Sequence, residues 1–351
     1  MSVLEERYRS VLRLLPVAYR EVWEEDMVAT FLAGATPDDP VEAADVADLG
    51  RPGWAEVASV AALAVRLRLG GVEAPPRSFA WGEAVRTVAL AALLFHTVTA
   101  VIGLGTLLWV TGILPGPAQP GYDLARPTGW QLVWPVVALA WPASYLAMIG
   151  GRWRLGQRLA VVALVPAVVS AVSETALAAS LRSLFPLLTT WSALLVTVLL
   201  TGALVAFHRD APPVRRTPWL IALPVGVVVI GSVTLGAWAT VAPALPLDWS
   251  GLCCVAVVIA AVVHLVGRAV GRVRPDSPWP LALALLLLAV LVLRATSMVD
   301  LAWFGGAGTN RGLLLAGAVE GAALLTLGVP LAVLAGRVLR RAAPVTAATR
   351  R

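Results

Sequence analysis

Eight apolar runs near 20 residues constrain this chain more than any other feature; they lie at about 88–111, 131–150, 159–179, 187–207, 218–240, 251–271, 280–299 and 312–335. At ~1.5 Å rise per residue, each is long enough to cross a ~30 Å hydrocarbon layer, where a helix satisfies its own backbone without water. With 59% hydrophobic residues, 14% charged and a mean hydropathy of +0.82, a soluble globular protein is excluded. The predicted class is all-α: a polytopic integral membrane protein with eight transmembrane helices and a small N-terminal helical cytoplasmic domain. The expected boundaries are a head over 1–70, a linker over 71–86, the membrane domain over 87–337 and a basic tail over 338–351. Interior prolines such as Pro135, Pro142 and Pro166 predict kinks rather than breaks, because neighbouring helices can satisfy the freed carbonyls.

Arginine placement predicts the orientation. One set of loops carries Arg77, Arg86, Arg152, Arg154, Arg158, Arg209, Arg215, Arg216, Arg268, Arg272, Arg274, Arg337, Arg340 and Arg341; the other carries only Arg126, Arg182 and Arg311. Basic loops stay inside, so both termini are expected in the cytoplasm of a bacterial plasma membrane. Tryptophans near span ends, among them Trp81, Trp109, Trp134, Trp219 and Trp279, fit an interfacial belt. The N-terminus is acidic and amphipathic rather than basic and then apolar, so no cleaved signal peptide is expected.

The net charge of +6 divides unevenly: residues 1–82 hold 8 Arg against 13 acids, and the remainder holds 19 Arg against 8. All 27 basic residues are Arg, which excludes Schiff-base and P-loop lysine chemistry. Two adjacent cysteines, Cys253 and Cys254, exclude a disulfide scaffold and a four-cysteine zinc site.

In the head, Leu4, Tyr8, Val11, Leu12 and Leu15 share one helical face, and Pro16 is expected to end that helix. A second helix over about 18–33 places Trp23, Met27 and Phe31 in register, with Gly34 as its stop and Glu21, Glu24, Glu25 and Asp26 as an acidic side. A turn at Thr36-Pro37-Asp38-Asp39-Pro40 leads to a short acidic helix ending near Gly50. Pro52 then opens a helix carrying Val57, Val60, Ala61, Ala64 and Leu67. Acidic balance argues against nucleic acid, whose phosphates need clustered basic residues.

The stretch Arg7-Tyr8-Arg9-Ser10-Val11-Leu12-Arg13-Leu14-Leu15-Pro16, followed by Tyr19-Arg20-Glu21 and Glu24-Glu25-Asp26-Met27, resembles the helical module called a permease prefix domain. Related HAAS-type modules precede membrane spans in bacterial proteins often encoded beside PadR-type regulators. The resemblance covers roughly the first 70 residues and implies a cytosolic docking or sensing unit. It transfers no catalytic residue, and the short external loops leave no room for the large extracytoplasmic domain of the bigger prefixed permeases.

Two further patterns concern the membrane part. Val101-Ile102-Gly103, Thr106-Leu107, Trp109 and Thr111 in the first span match Val229-Ile230-Gly231, Thr234-Leu235, Trp238 and Thr240 in the fifth. That spacing suggests two parallel four-span units, about 84–209 and 218–337. Five ionisable residues fall inside spans: His96, Glu174, His264, Arg294 and Glu320. A charge there costs ~2.5–3.5 kcal/mol on insertion scales unless paired or wetted. Counting ~1.5 Å per residue puts Glu174, Arg294 and Glu320 at a common depth, ~9–13 Å from one membrane face. Arg294 is therefore expected to pair with Glu320, with Glu174 as second partner or competitor. Gly317 and Gly321 provide a small-residue face beside Glu320. His96 and His264 differ in depth by ~9 Å, a poor match for one shared haem iron, and each is expected to bond a neighbouring helix.

The leading functional expectation is a permease-like or regulatory membrane component whose head docks a cytosolic partner, such as a regulator or an ATPase, through Glu21, Glu24, Glu25 and Asp26. The rival is a proton-coupled or ion-coupled secondary transporter using Glu174, Arg294 and Glu320. An enzyme is disfavoured, since nucleophile, base and metal constellations are missing. No cofactor or metal is expected, the bilayer is the certain partner, and the residues set no oligomeric state.

Overall fold

The structure is a computed structural model describing residues 2–36, 39–71, 75–114, 129–180, 187–239, 249–274, 277–304 and 310–342. Arg126, Arg182, Thr240, most of the expected basic tail, and Pro37 and Asp38 of the expected turn lie outside the described residues. Every element among the described residues is helical. The chain divides into two compact units, one formed by residues up to Glu83 with His208–Ala211, the other by Ala84–Phe207 and Pro212–Arg340.

The first unit holds four helices: α1 (Val3–Leu12), α2 (Val17–Ala35), α3 (Pro40–Leu49) and α4 (Trp54–Arg68). Ser2 caps α1 by accepting from the Glu5 amide at 3.2 Å. The expected apolar face becomes a core of Tyr8, Leu12, Leu15, Val28, Val60, Ala64 and Leu67, with the Tyr8 and Phe31 rings stacked at 4.0 Å. Three boundaries differ from expectation. α1 stops at Leu12, and Pro16 is the N-cap residue of α2, where its fixed φ and missing N–H do no harm. α2 continues through Gly34 to Ala35, and α4 starts at Trp54 behind Gly53 rather than at Pro52. At the end of α4 the Gly71 amide bonds the Arg66 carbonyl at 2.9 Å, and Gly70 takes φ +87°, a left-handed cap that glycine adopts without a Cβ penalty.

The other helices are α5 (Pro76–Val110), α6 (Gly129–Ala138), α7 (Ala140–Ile149), α8 (Trp153–Ser180), α9 (Leu187–Gly202, extended by a 3-10 turn to Ala206), α10 (Arg216–Ala239), α11 (Trp249–Ala269), α12 (Trp279–Phe304) and α13 (Asn310–Arg341). Helix α5 starts at Pro76, so 76–86, expected as linker, is helical and continuous with the first span. Likewise α13 carries the helix to Arg341. Seven helices, α5 and α8 to α13, are long and apolar enough to cross a membrane. None of the most apolar stretch of α10 is buried, and Val228, Val229 and Ile221 are all more than half exposed. Apolar helices that leave such surface uncovered are suited to lipid rather than water.

The second expected span departs from the rest. It forms two short apolar helices, α6 and α7, interrupted at Leu139. Pro142 has no N–H to offer the Ala138 carbonyl, and the Leu139 amide tightens onto Val136 at 3.1 Å. Here the α-helical bonding lapses for a single residue, Leu139, which keeps right-handed helical angles (φ −64°, ψ −12°), a local 3-10-type tightening, whereas Pro166, Pro224 and Pro330 sit inside uninterrupted helices. Helix α7 then turns into α8 through Gly150 and Gly151. Gly156 lies so close to Met148 and the Ser144 carbonyl that a Cβ would collide, and Ser144 Oγ donates to the Gly156 carbonyl at 2.8 Å. Tyr145 Oη donates to the Trp219 carbonyl at 2.7 Å, tying α7 to α10. A second core joins α11, α12 and α13 through Cys254, Leu283, Leu287, Leu324 and Leu331.

Candidate functional site

Helix α12 carries the polar content of the membrane unit. Arg294 is 1% exposed, and its Nε lies 2.8 Å from Glu320 Oε2 on α13. Its Nη1 donates to Ser250 Oγ of α11 at 3.0 Å, and Ser250 and Ser297 share a hydroxyl bond of 2.9 Å. Gly317 makes this possible: a Cβ there would stand 2.9 Å from Arg294 Nη2 and 3.0 Å from Nε, and would strike Met298. A side chain at 317 would occupy the place of the guanidinium. Gly321, by contrast, meets nothing within 4 Å, so the small-residue face is used by an arginine at one position rather than by a closely packed helix.

Further along α12, Thr296 Oγ1 bonds Ser192 Oγ of α9 at 2.7 Å, and Asp300, 7% exposed, accepts from the Thr189 amide at 2.7 Å. Thr189 is the third residue of α9, so this carboxylate satisfies one of the amides a helix start leaves open, and it stands at the positive end of the dipole. Asp300 is not among the five ionisable residues that the sequence places inside spans; the missed signal was its one-turn spacing from Thr296 and Ser297.

Glu174 does not join the Arg294–Glu320 pair. It is exposed on α8, accepting from Ser170 at 3.0 Å and from Thr190 of α9 at 2.6 Å. The two histidines are not brought to a common site either. His96 stacks on Trp141 at 4.5 Å and meets Phe95 edge-on at 5.6 Å, so stacking stands where an interhelical hydrogen bond was expected. His264 is 8% exposed on α11, with no hydrogen-bond partner for Nε2 among the described residues. Cys253 and Cys254 are buried and free of disulfide. No group of three or more His, Cys, Asp or Glu among the described residues is placed to hold a metal ion.

In the head, two of the four acids on the acidic side of α2 are engaged from within. Arg9 grips Glu25 with two bonds of 2.7 and 2.8 Å and also reaches Glu5 at 3.0 Å, while Arg20 lies 3.5 Å from Glu24. The guanidinium holds the Glu25 carboxyl below the usual carboxylate range. Glu21 and Asp26 remain exposed. Asp26 contributes to a cavity of about 560 Å³ that sequence reading did not anticipate, lined also by Tyr8, Met27, Thr30, Phe31, Gly34, Ala35 and Glu56. In its lining Tyr8 Oη donates to Glu56 Oε1 at 2.9 Å; burial first, and the hydrogen bond to Glu56 second, push the phenol well above its ordinary range, so it stays a donor. Elsewhere on the head, Arg7 Nη1 binds the Leu49 and Gly50 carbonyls at 3.1 and 2.6 Å, fixing the corner between α3 and α4. From that corner Leu49 and Trp54 project, 76% and 88% exposed.

Comparison of the chain with protein-family models, with curated proteins and with solved structures finds no match.

Proposed function

We propose that the protein is a permease-like or regulatory component of the bacterial plasma membrane, without enzymatic activity of its own, whose N-terminal head docks a cytosolic protein. In this reading both termini are cytoplasmic, the head is of the permease-prefix kind, and the chain crosses eight times with α6–α7 as the second crossing. The 4+4 repeat of spans belongs to the same proposal. The observation that carries the docking role is the corner at Leu49 and Trp54. An arginine clamps its backbone at Leu49 and Gly50, yet its two large apolar side chains, Leu49 and Trp54, are exposed. A rigidly presented tryptophan is the kind of anchor that dominates protein interfaces, since it buries large area at small entropic cost. Docking through this corner also replaces the acidic side of α2 as the expected contact, because Glu24 and Glu25 already have arginine partners within the head. Within the membrane unit, Arg294 and Glu320 have the structural role of fixing α11, α12 and α13 in register; a buried pair completed by Ser250 supports that assignment.

The test is recovery of the bound partner with the full-length protein from native membranes. Trp54→Ala combined with Leu49→Ala is expected to reduce recovery tenfold or more, with the melting temperature of the purified protein unchanged, as suits exposed side chains. A partner retained in full by the double variant would overturn the docking role.

A further inference from the structure

We infer that the cavity in the head binds an organic cation, a guanidinium, amidinium or ammonium group carried on an apolar body. The site lies between α1, α2 and α4 and rests on different side chains from the Leu49 and Trp54 corner, although Glu56 follows Trp54 by two residues. Its volume, about 560 Å³, falls within the range of small-ligand sites.

The charge of the lining sets the class of ligand. Among the eight lining residues there are two acids, Asp26 and Glu56, and no base. On the neighbouring face Glu5 and Glu25 are answered by Arg9 and Glu24 by Arg9 and Arg20, while Glu21 is exposed outside the lining. Neither Asp26 nor Glu56 has an ion-pair partner among the described residues, and Glu56 spends only Oε1 on Tyr8. Arg9 and Arg20 thus serve three acids outside the cavity and neither of the two inside it. An anionic ligand would be repelled. A neutral apolar one would strip water from two carboxylates without replacing it. A calcium-like ion needs six to eight oxygen ligands, roughly, and two carboxylates from different helices with no histidine or cysteine beside them do not supply these.

The remainder of the lining suits an apolar body. Phe31, its ring stacked on the buried Tyr8, gives an aromatic surface that a planar cation favours through the ring quadrupole, and Met27 gives an adaptable wall. Gly34 and Ala35 keep the mouth open: a Cβ built on Gly34 meets nothing within 4 Å.

The experiment is isothermal titration of the full-length protein in lipid nanodiscs with benzamidine. Its neutral isostere benzamide and the anion benzoate serve as controls, and Nα-acetyl-arginine amide stands for a protein side chain. Benzamidine is expected to bind saturably at one site, at least tenfold tighter than benzamide or benzoate. Asp26→Asn with Glu56→Gln is expected to weaken it at least tenfold. Gly34→Leu, which fills the cavity without touching an acid, is expected to do the same with an unchanged melting curve, and it decides the matter if the double variant does not fold. Competition by acetyl-arginine amide assigns the cation to a partner's side chain; its failure to compete assigns it to a free amine. Absence of saturable benzamidine binding, equal binding of benzamide, or full affinity in the Gly34→Leu variant would overturn the inference.

Discussion

A guanidinium cannot shed its proton, so Arg294 carries its burial cost into every arrangement of α12. The pair with Glu320 and the bond to Ser250 offset that cost, and Gly317 supplies the space. Removing one partner leaves the other charge buried alone. Glu320→Ala is therefore expected to destabilise the protein by about 3–5 kcal/mol, whereas Arg294→Met combined with Glu320→Leu recovers most of the loss. Thermal unfolding of the three proteins in one detergent checks this; a double variant no more stable than Glu320→Ala would refute a purely structural pair. The pair was legible in the sequence because depth along a helix follows from counting residues. The separation of Glu174 from it was not, because depth says nothing about which neighbour a helix face meets. The head cavity was hidden for a related reason: Tyr8 and Glu56 are 48 positions apart, and only the packing of α1 on α4 joins them.

Elements were legible where a strong period or a long apolar run dominates. Two of the head helices, α1 and α4, follow from the spacing of Leu4, Tyr8 and Leu12 and of Val60, Ala64 and Leu67, all of which are buried. Seven of the apolar runs are continuous helices for the same reason. The exception is α6–α7, where prolines stand seven residues apart. An isolated proline frees one carbonyl that a neighbour can take up, but Pro142 follows Pro135 closely enough that the intervening turn tightens at Leu139 instead. Pro142→Ala restores an N–H for the Ala138 carbonyl. The expected outcome is a single helix from Gly129 to Ile149, read as hydrogen-exchange protection of the new amide at 142 and slower exchange at Leu139. An unprotected amide at 142 would mean that something other than the missing donor interrupts the helix.

At the scale of the whole molecule, the chain joins two units that distribute apolar and charged residues differently. The membrane unit buries Arg294 against Glu320 and leaves valines and leucines outward; the head buries an apolar core and pairs Glu5, Glu24 and Glu25 with arginines, yet keeps Leu49 and Trp54 exposed on a clamped corner. Sequence composition separates the units plainly, since 13 of the 21 acids fall within the first 82 residues. What it does not reveal is the surface the head keeps for others, because exposure of one tryptophan depends on how four short helices close around it. The most direct measurement is photo-crosslinking in intact cells, with benzoylphenylalanine in place of Trp54 and, as control, in place of the exposed Glu6. The account predicts one protein adduct of defined mass at position 54 and none at position 6. Identical adducts at both positions, or lipid adducts alone at position 54, would contradict it.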